Sequence, residues 1–388
     1  MQKNEQNFRK LMDWWLFSAI VLLCLCGVVF ILNATCDPYS ETGETGLLGV
    51  ISRINPYYVR SQLIWLLTGT VLALIAGAFD YKIYRQLAIW IYAFGMFLLA
   101  LVLFMPAGRG NVKNAIYITD TLSFQPGELV KLCYIVMMAR LLSTREGPIQ
   151  KVRELFPYLL YTALPVGLVI LEREVGTALV YLCIFAGMLF LSGTNWKLLV
   201  GMGLSAGVCA VPIWFVLGDY QRERILNFLD PSRDVSNTGY HVNNAKMVAG
   251  TGELWGKGLF REGAMSQLDY VPEKHTDFIF AVTAEAIGLV GCMILVALFV
   301  FVIIRMLKIA RTARDSFGSM ICIGVASMMA FHIVENICMN IGLLPVTGIP
   351  LPFLSYGGSA MWTNLIASAM VLSVSMRRKN TRYENPGN

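Results

Sequence analysis

Apolar residues along this chain gather in runs of roughly 20, long enough to cross a bilayer core of about 30 Å as helices. Windows of apolar character fall near 14–34, 61–79, 85–106, 127–144, 155–172, 176–193, 198–218, 277–305, 317–340 and 356–376. The pattern predicts an all-α integral membrane protein with ten transmembrane helices. Between the seventh and eighth spans lies a loop, residues 219–276, with short amphipathic stretches around 221–229 and 240–249. A loop this long is functional or disordered, and its Trp, Tyr and buried-type aliphatic residues predict an ordered, partly helical one. No repeat of 20–50 residues appears, and the only low-complexity tract is the polar tail after Arg382. Residues 1–388 therefore read as one membrane domain with the polar tail 377–388 at its end.

Composition sharpens this reading. The 388 residues are 56% hydrophobic and 14% charged, against about 25% charged in soluble domains, which excludes a water-soluble enzyme. The first span follows Lys3, Arg9 and Lys10 without a small-residue cleavage pattern, so it predicts an anchor, not a removed signal peptide. With the N-terminus in the cytoplasm, 18 of the 31 basic residues fall in inside segments and five in short outside loops. The positive-inside rule then places both termini in the cytoplasm and the 219–276 loop outside. The net charge of +6 is mostly this topology signal, and no nucleic-acid partner is expected.

Eight of the nine cysteines lie inside apolar runs, as small buried hydrophobes, and Cys36 has no loop partner, so no structural disulfide is expected. The three histidines, 241, 275 and 332, have no zinc-site spacing, and His332 reads as a satisfied interior residue.

Ionisable residues inside spans are expensive and point to function by default. Glu128 and Lys131 stand three apart on the fourth span, so they share a face and can pair. A structural ion pair locking helices would look the same. Glu172, Arg173 and Glu174 cluster where the fifth span meets the outside, which equally fits a charged turn. Asp277 opens the eighth span, with Glu285 two turns deeper, and an aspartate there could simply be a helix N-cap. Topology changes the weighing: Glu128, Lys131, Arg173, Glu174 and Asp277 all fall at the outer side, where they could line one polar cavity. Near the end come Asn336, Asn340, a stretch rich in Pro and Gly over 342–352, and Ser355 to Ser359. Such backbone must be buried in protein or face a water-filled space.

Together, Phe124-Gln125-Pro126 with Glu128 and Lys131, Gly176-Thr177, Asn227 to Pro231 with Gly239-Tyr240, Trp255 to Gly258, Pro272 to Phe278 and Leu344 to Ser359 resemble the SEDS family of bacterial shape, elongation, division and sporulation proteins. The resemblance covers roughly 14–376, and the wording from Gln267 to Pro272 is closest to the rod-shape (RodA) branch. It implies a peptidoglycan glycosyltransferase that polymerises lipid II at the outer face of the bacterial cytoplasmic membrane, for cell elongation and shape. Its implied partner is a class B penicillin-binding protein that crosslinks the product. An acceptor hydroxyl attacks the anomeric carbon of a lipid-pyrophosphate donor with inversion, which needs a carboxylate base and cations at the departing pyrophosphate.

By the same resemblance Asp277 is the base, and Lys131, paired with Glu128, orients or neutralises. Arg173, Glu174 and Glu285 join the cavity group. Charge alone nominates Lys257, Lys274 and Arg224 for phosphate. Trp255, Gln125, Asn336, Ser355 and Ser359 complete the substrate-binding candidates. A divalent cation, Mg2+ or Mn2+, is compatible with this chemistry and is not derivable from sequence. The chain departs from the family pattern at Ala115-Ile116, where Arg-Trp is usual, at Gly127 for Ser, at Glu174 for Asp, and at Ala286 for a second acid. Two other functions stay open: a flippase or transporter for the same lipid carrier, and a weakly active scaffold for a penicillin-binding protein.

Overall fold

The computed structural model describes residues 12–36, 54–105, 115–117, 123–216, 218–230, 238–268 and 270–378. Lys3, Arg9 and Lys10, Pro231 and the tail from Lys379 onward lie outside them. The regular secondary structure of the described residues is helical apart from one hairpin of two-residue strands and an isolated bridge between Cys36 and Ile54. Its order is α1 (Trp14–Ala34), α2 (Pro56–Ala78), α3 (Tyr81–Leu103), β1 (Ile116–Tyr117), β2 (Ser123–Phe124), α4 (Pro126–Ser143), α5 (Val152–Leu171), α6 (Val175–Leu191) and α7 (Trp196–Val216). Then come α8 (Asp219–Leu229), α9 (Thr238–Gly250), α10 (Ile279–Thr312), α11 (Ser316–Asn340) and α12 (Gly358–Met376).

Seven helices, α1, α2, α3, α5, α10, α11 and α12, are long and apolar enough to cross a membrane. The other apolar helices differ for identifiable reasons. α6 has 17 residues, and α4 carries Glu128, Lys131 and Arg140 within 18 residues. The loop stretches expected around 221–229 and 240–249 are α8 and α9.

Helix starts follow capping chemistry. Asp13, Asn55, Asp80 and Asp315 each accept a backbone N–H in the first turn of α1, α2, α3 and α11. At α4 the N-cap residue Gln125 makes no side-chain cap bond, because its amide is used elsewhere. Inside α5, Pro165 deprives the carbonyl of Tyr161 of its helical donor. The Tyr92 hydroxyl on α3 supplies one at 2.7 Å. α4, α11 and α12 are largely buried against their neighbours, whereas α2 and α5 present Leu67, Leu74, Phe156 and Leu160 outward, as lipid-facing helices do.

The 34 residues of α10 are not one continuous helix: Gly288 interrupts it with φ 68° and ψ −175°. The interruption is filled by the preceding loop. Lys257 and Gly258 donate backbone N–H groups to the carbonyls of Glu285 and Ala286 at 2.9 and 3.0 Å, and Leu289 and Val290 donate to Glu253 and Leu254 at 2.9 and 3.1 Å. A Cβ at Gly288 would lie 2.3 Å from the nitrogen of Gly256, so two glycines permit the approach.

Candidate active site

Asp277 sits just before α10, and α11 fixes it by its backbone. Asn336 and Asn340, one turn apart, donate side-chain amides to the Asp277 carbonyl at 2.9 and 3.0 Å. Asn336 also donates to the carbonyl of Ile349 at 2.8 Å, and Asn340 accepts the backbone N–H of Ala281 at 3.0 Å. On the other side Ser355 donates to the Thr276 carbonyl at 2.7 Å and Tyr356 N–H donates to His275 at 2.9 Å. His275 itself packs between Tyr58 and Tyr356, ring centroids 4.7 and 5.3 Å away.

The carboxylate is left for other work. The N-cap position of α10 belongs to Phe278, with no side-chain cap bond, so the cap role that the sequence allowed Asp277 is not what it does here. Among the described residues its carboxylate accepts no hydrogen bond. It faces the exposed backbone of Gly348, where a Cβ would come within 3.4 Å of Oδ2. Burial pushes its pKa up to about 6, with Glu273 adding to the rise and Arg224 opposing it.

Arg224 on α8 donates Nη1 to the carbonyl of Val346 at 3.0 Å. It and Asp277 both stand within electrostatic reach of Glu335. Glu335 escaped the sequence reading. It is buried on α11, accepts the hydroxyl of Thr347 on one oxygen, and has no hydrogen-bond partner on the other among the described residues. An acid within an apolar span was the signal that would have found it, as it found Glu128.

Segment 346–349 joins this group to a second one. A Cβ at Gly176 would lie 2.9 Å from the Thr347 carbonyl, so the start of α6 packs directly on the segment. There Glu174 accepts from Gln125 Nε2 at 2.6 Å and Thr177 Oγ1 at 3.0 Å, while Gln125 N–H donates to Ser359 Oγ at 2.9 Å. Two of the departures from the family pattern meet here. A Cβ at Gly127 would lie 3.6 Å from Glu174 Oε2, in ordinary contact, so position 127 abuts the longer acid. Of the charged turn, Glu172 is buried beside Glu174, whereas Arg173 is exposed at φ 68° and makes no side-chain bond among the described residues.

Glu128 and Lys131 pair at 2.7 Å, both buried, and Lys131 Nζ also lies 3.1 Å from His332 Nε2. The ammonium donates to both, so Nε2 of His332 is the acceptor nitrogen. This network lies one turn along α11 from Glu335 but is sealed, with Lys131 1% exposed. The pair therefore belongs to the wall behind the site.

Glu285 has a hydrogen-bonding set of its own. It accepts from Lys257 Nζ at 2.8 Å, Thr251 Oγ1 at 3.1 Å, and the backbone N–H groups of Met265 and Ser266, both at 2.9 Å. It ties the loop to the interrupted α10 and commits Lys257, which is thereby not a spare cation. Trp255 and Lys257 line a separate cavity of about 550 Å³ with Arg261 and Glu262. Lys274 donates to the Gln267 carbonyl at 3.4 Å.

The family model of FtsW, RodA and SpoVE cell cycle proteins matches residues 13–380. The chain belongs to this family. Its family relatives include the probable peptidoglycan glycosyltransferase FtsW of Geobacter sp. (strain M18), 32% identical over 369 residues, covering 94% of this chain and 96% of that one. The peptidoglycan glycosyltransferase MrdB of Escherichia coli K12 is 34% identical over 313 residues, covering 80% and 84%. Among solved structures, a chain from a peptidoglycan synthase complex that coordinates polymerization and crosslinking superposes with TM-score 0.78 at 29% identity, covering 95% of this chain and 99% of that one. The crystal structure of the rod shape determining protein RodA of Thermus thermophilus does so at 0.69 and 26%, covering 95% and 97%. Family membership thus extends over nearly the whole described fold, including α8 and α9.

Two further family departures have clear surroundings. Ile116 pairs with Phe124 in the hairpin that leads into Gln125. Ala286 is buried, and its carbonyl receives Gly258 N–H. An acid there would place a second charge beside Glu285 without the four donors that Glu285 enjoys.

Proposed function

We propose that this chain is a multi-pass membrane glycosyltransferase that polymerises lipid II into glycan strands, with Asp277 as general base. The observation that carries the reading is the Asp277 carboxylate: pinned through its backbone on two sides, uncommitted in hydrogen bonding, and beside an arginine. The C4-side hydroxyl of an acceptor sugar gives its proton to that carboxylate while its oxygen forms the new bond to the donor's anomeric carbon. The bond from that carbon to the pyrophosphate oxygen breaks, and the electron pair leaves with the lipid pyrophosphate. A pKa of about 6 suits this role, since the group is largely ionised at neutral pH yet more basic than an ordinary aspartate. Arg224, which acts on Asp277 electrostatically, and Lys274, three residues before it, carry the leaving charge, and Glu335 with Thr347 sets the field from behind. The polyprenyl tail stays in the bilayer, where each CH2 is worth about 0.8 kcal/mol.

Ten spans follow if α4, α6 and α7 cross beside the seven apolar helices. The distribution of Lys and Arg then supports cytoplasmic termini and an outer placement for Asp277. A class B penicillin-binding protein is the fitting partner, since polymerised strands need a crosslinking enzyme, and a role in elongation accords with the rod-shape wording at Gln267 to Pro272. No group of three or more metal-ligating side chains gathers among the described residues, so Mg2+ or Mn2+ would arrive with the pyrophosphate, and no step is derived through it.

The test is polymerisation of purified lipid II by the full chain in liposomes, with its co-purified partner. The wild type is expected to make glycan strands, and Asp277→Asn to lose at least about 100-fold in rate. Normal polymer from the variant would remove Asp277 from the chemistry; altered sidedness of lipid II without polymer would indicate a transporter.

A further inference from the structure

At the end of the bundle opposite Asp277, three chain segments enclose a cavity of about 230 Å³ lined by Asp80, Tyr81, Lys82, Arg314, Met376, Arg377 and Arg378. The separation follows from α11: Arg314 precedes its first residue, Asp277 is held at its last turn, and its 25 residues span about 37 Å.

The walls are fixed. Arg377 donates to the carbonyl of Ala78 at 3.0 Å and to that of Ser373 at 3.1 Å, tying the end of α12 to the end of α2. Ser373 donates to the Phe79 carbonyl at 3.1 Å. The Tyr81 hydroxyl donates to Asp315 at 2.9 Å and its ring stacks on Phe317, which joins α3 to α11.

The acids at this rim are already committed. Asp80 caps α3 through Lys82 N–H at 3.0 Å and lies 3.8 Å from Arg377 Nε. Asp315 caps α11 through Gly318 N–H at 2.8 Å and accepts from Tyr81. Lys82, Arg314 and Arg378, by contrast, form no ion pair among the described residues. Three cations without an ion pair therefore line a preformed hollow whose one lining carboxylate, Asp80, is engaged by Arg377 and the Lys82 N–H, and the N-terminus of α3 adds its positive pole.

The flanks say what kind of anion fits. Phe79 and Ile83, on either side of the lining residues Asp80 to Lys82, are 52% and 38% exposed. In a bilayer those side chains meet acyl chains, so the hollow opens at the depth of lipid head groups. We propose that this cavity binds the phosphate of an anionic phospholipid on the cytoplasmic leaflet, with Lys82, Arg314 and Arg378 on the phosphate and Phe79 and Ile83 along its chains. A zwitterionic lipid carries its own cation and gains far less there.

The experiment is native mass spectrometry of the delipidated full chain, titrated with phosphatidylglycerol and, separately, phosphatidylcholine. The wild type is expected to retain phosphatidylglycerol about tenfold or more over phosphatidylcholine. The triple variant Lys82→Gln, Arg314→Gln, Arg378→Gln is expected to lose that preference by about tenfold to a hundredfold. A second variant, Arg314→Lys with Arg378→Lys, keeps the charge and is expected to keep the preference, which separates recognition from misfolding. Undiminished preference in the triple variant overturns the proposal. So does full displacement of the lipid by millimolar inorganic phosphate, which would make this a site for free phosphate.

Discussion

The side-chain amide of Asn336 holds the backbone carbonyl of Asp277 at 2.9 Å, and no group among the described residues donates to the carboxylate of the same residue. The aspartate is thus immobilised at one end and unsatisfied at the other. Structure invests in its position and leaves its charge to a ligand.

That arrangement predicts a trade between stability and activity at residue 277. Its pKa is raised from 3.8 to about 6, so the folded state disfavours the ionised form. The sign follows from linkage: stability is greatest when the group is protonated, falls as pH rises from about 4 to about 6, and stays reduced above that. Asp277→Asn removes the ionised form and should raise stability at pH 7 by at most about 3 kcal/mol, less whatever residual water contact screens. Thermal unfolding in detergent at pH 7 and at pH 4.5 checks this: the variant's advantage should shrink at the lower pH. Loss of about 1 kcal/mol at both would instead be the signature of a helix cap.

The same carboxylate gives the activity an acid limb. A general base must be ionised, so polymerisation should fall as pH drops through about 6. The neighbours set where that limb lies. Glu273→Gln removes a repulsive charge and should move the midpoint down, whereas Arg224→Gln removes an attractive one and should move it up. Glu335, which faces both, is the third charge to vary, and Glu335→Gln is expected to shift the limb downward. Initial rates from pH 5 to pH 8 for the four proteins test the ordering, which a purely structural role for these residues would leave unchanged.

Asn336 and Asn340 should behave differently from each other on truncation. Asn336→Ala strips donors from Asp277 and Ile349 together, linking α11 to both the segment before α10 and the 342–350 stretch. Asn340→Ala loses the contacts to Asp277 and Ala281. Each leaves buried carbonyl or N–H groups unsatisfied, at about 1–3 kcal/mol per group. Both variants should unfold at lower temperature, and both should lower the maximal rate more than they raise the lipid II concentration needed for half of it, because the base is displaced.

The helices were legible because lipid leaves few choices. A run of about 20 apolar residues in lipid favours helix, and most observed ends fall within a few residues of the expected ones, the exceptions being the start of α2, at 56 instead of 61, and the end of α10, at 312 instead of 305. Periodicity does not register where a polar group is consumed. Glu285 and Asp277 look alike as acids near the start of one helix, yet one accepts four hydrogen bonds and the other none among the described residues, a difference set by the path of the 251–266 loop. Glu335 was overlooked because its sequence neighbours, His332 and Asn336, are polar too and it carried no motif. Its meaning comes from Thr347 and Asp277, which only the folded chain brings to it. The break at Gly288 was equally hidden, since a lone glycine in an apolar run is common.

The loop that fills that break gives the last prediction. Glu285 is 1% exposed and Lys257 remains partly open to water, so the pair is asymmetric. Replacing Lys257 by Met strands a buried carboxylate that still keeps Thr251 and two backbone donors, and should cost about 1–2 kcal/mol. Replacing Glu285 by Leu is far worse: Met265 and Ser266 lose the acceptor for their N–H groups, Thr251 loses a partner, and the ammonium is left beside an apolar side chain. That change should cost about 3–5 kcal/mol. Because the loop exchanges the backbone hydrogen bonds that close the gap in α10, donating two and accepting two, its release should expose residues 251–266 to protease before the bundle melts. Limited proteolysis of the two variants, read by the position of the first cut, separates this from global unfolding: cleavage within 251–266 at a temperature where α11 is still protected from hydrogen exchange is the expected result, and simultaneous loss of both would show that the loop and the bundle unfold as one unit.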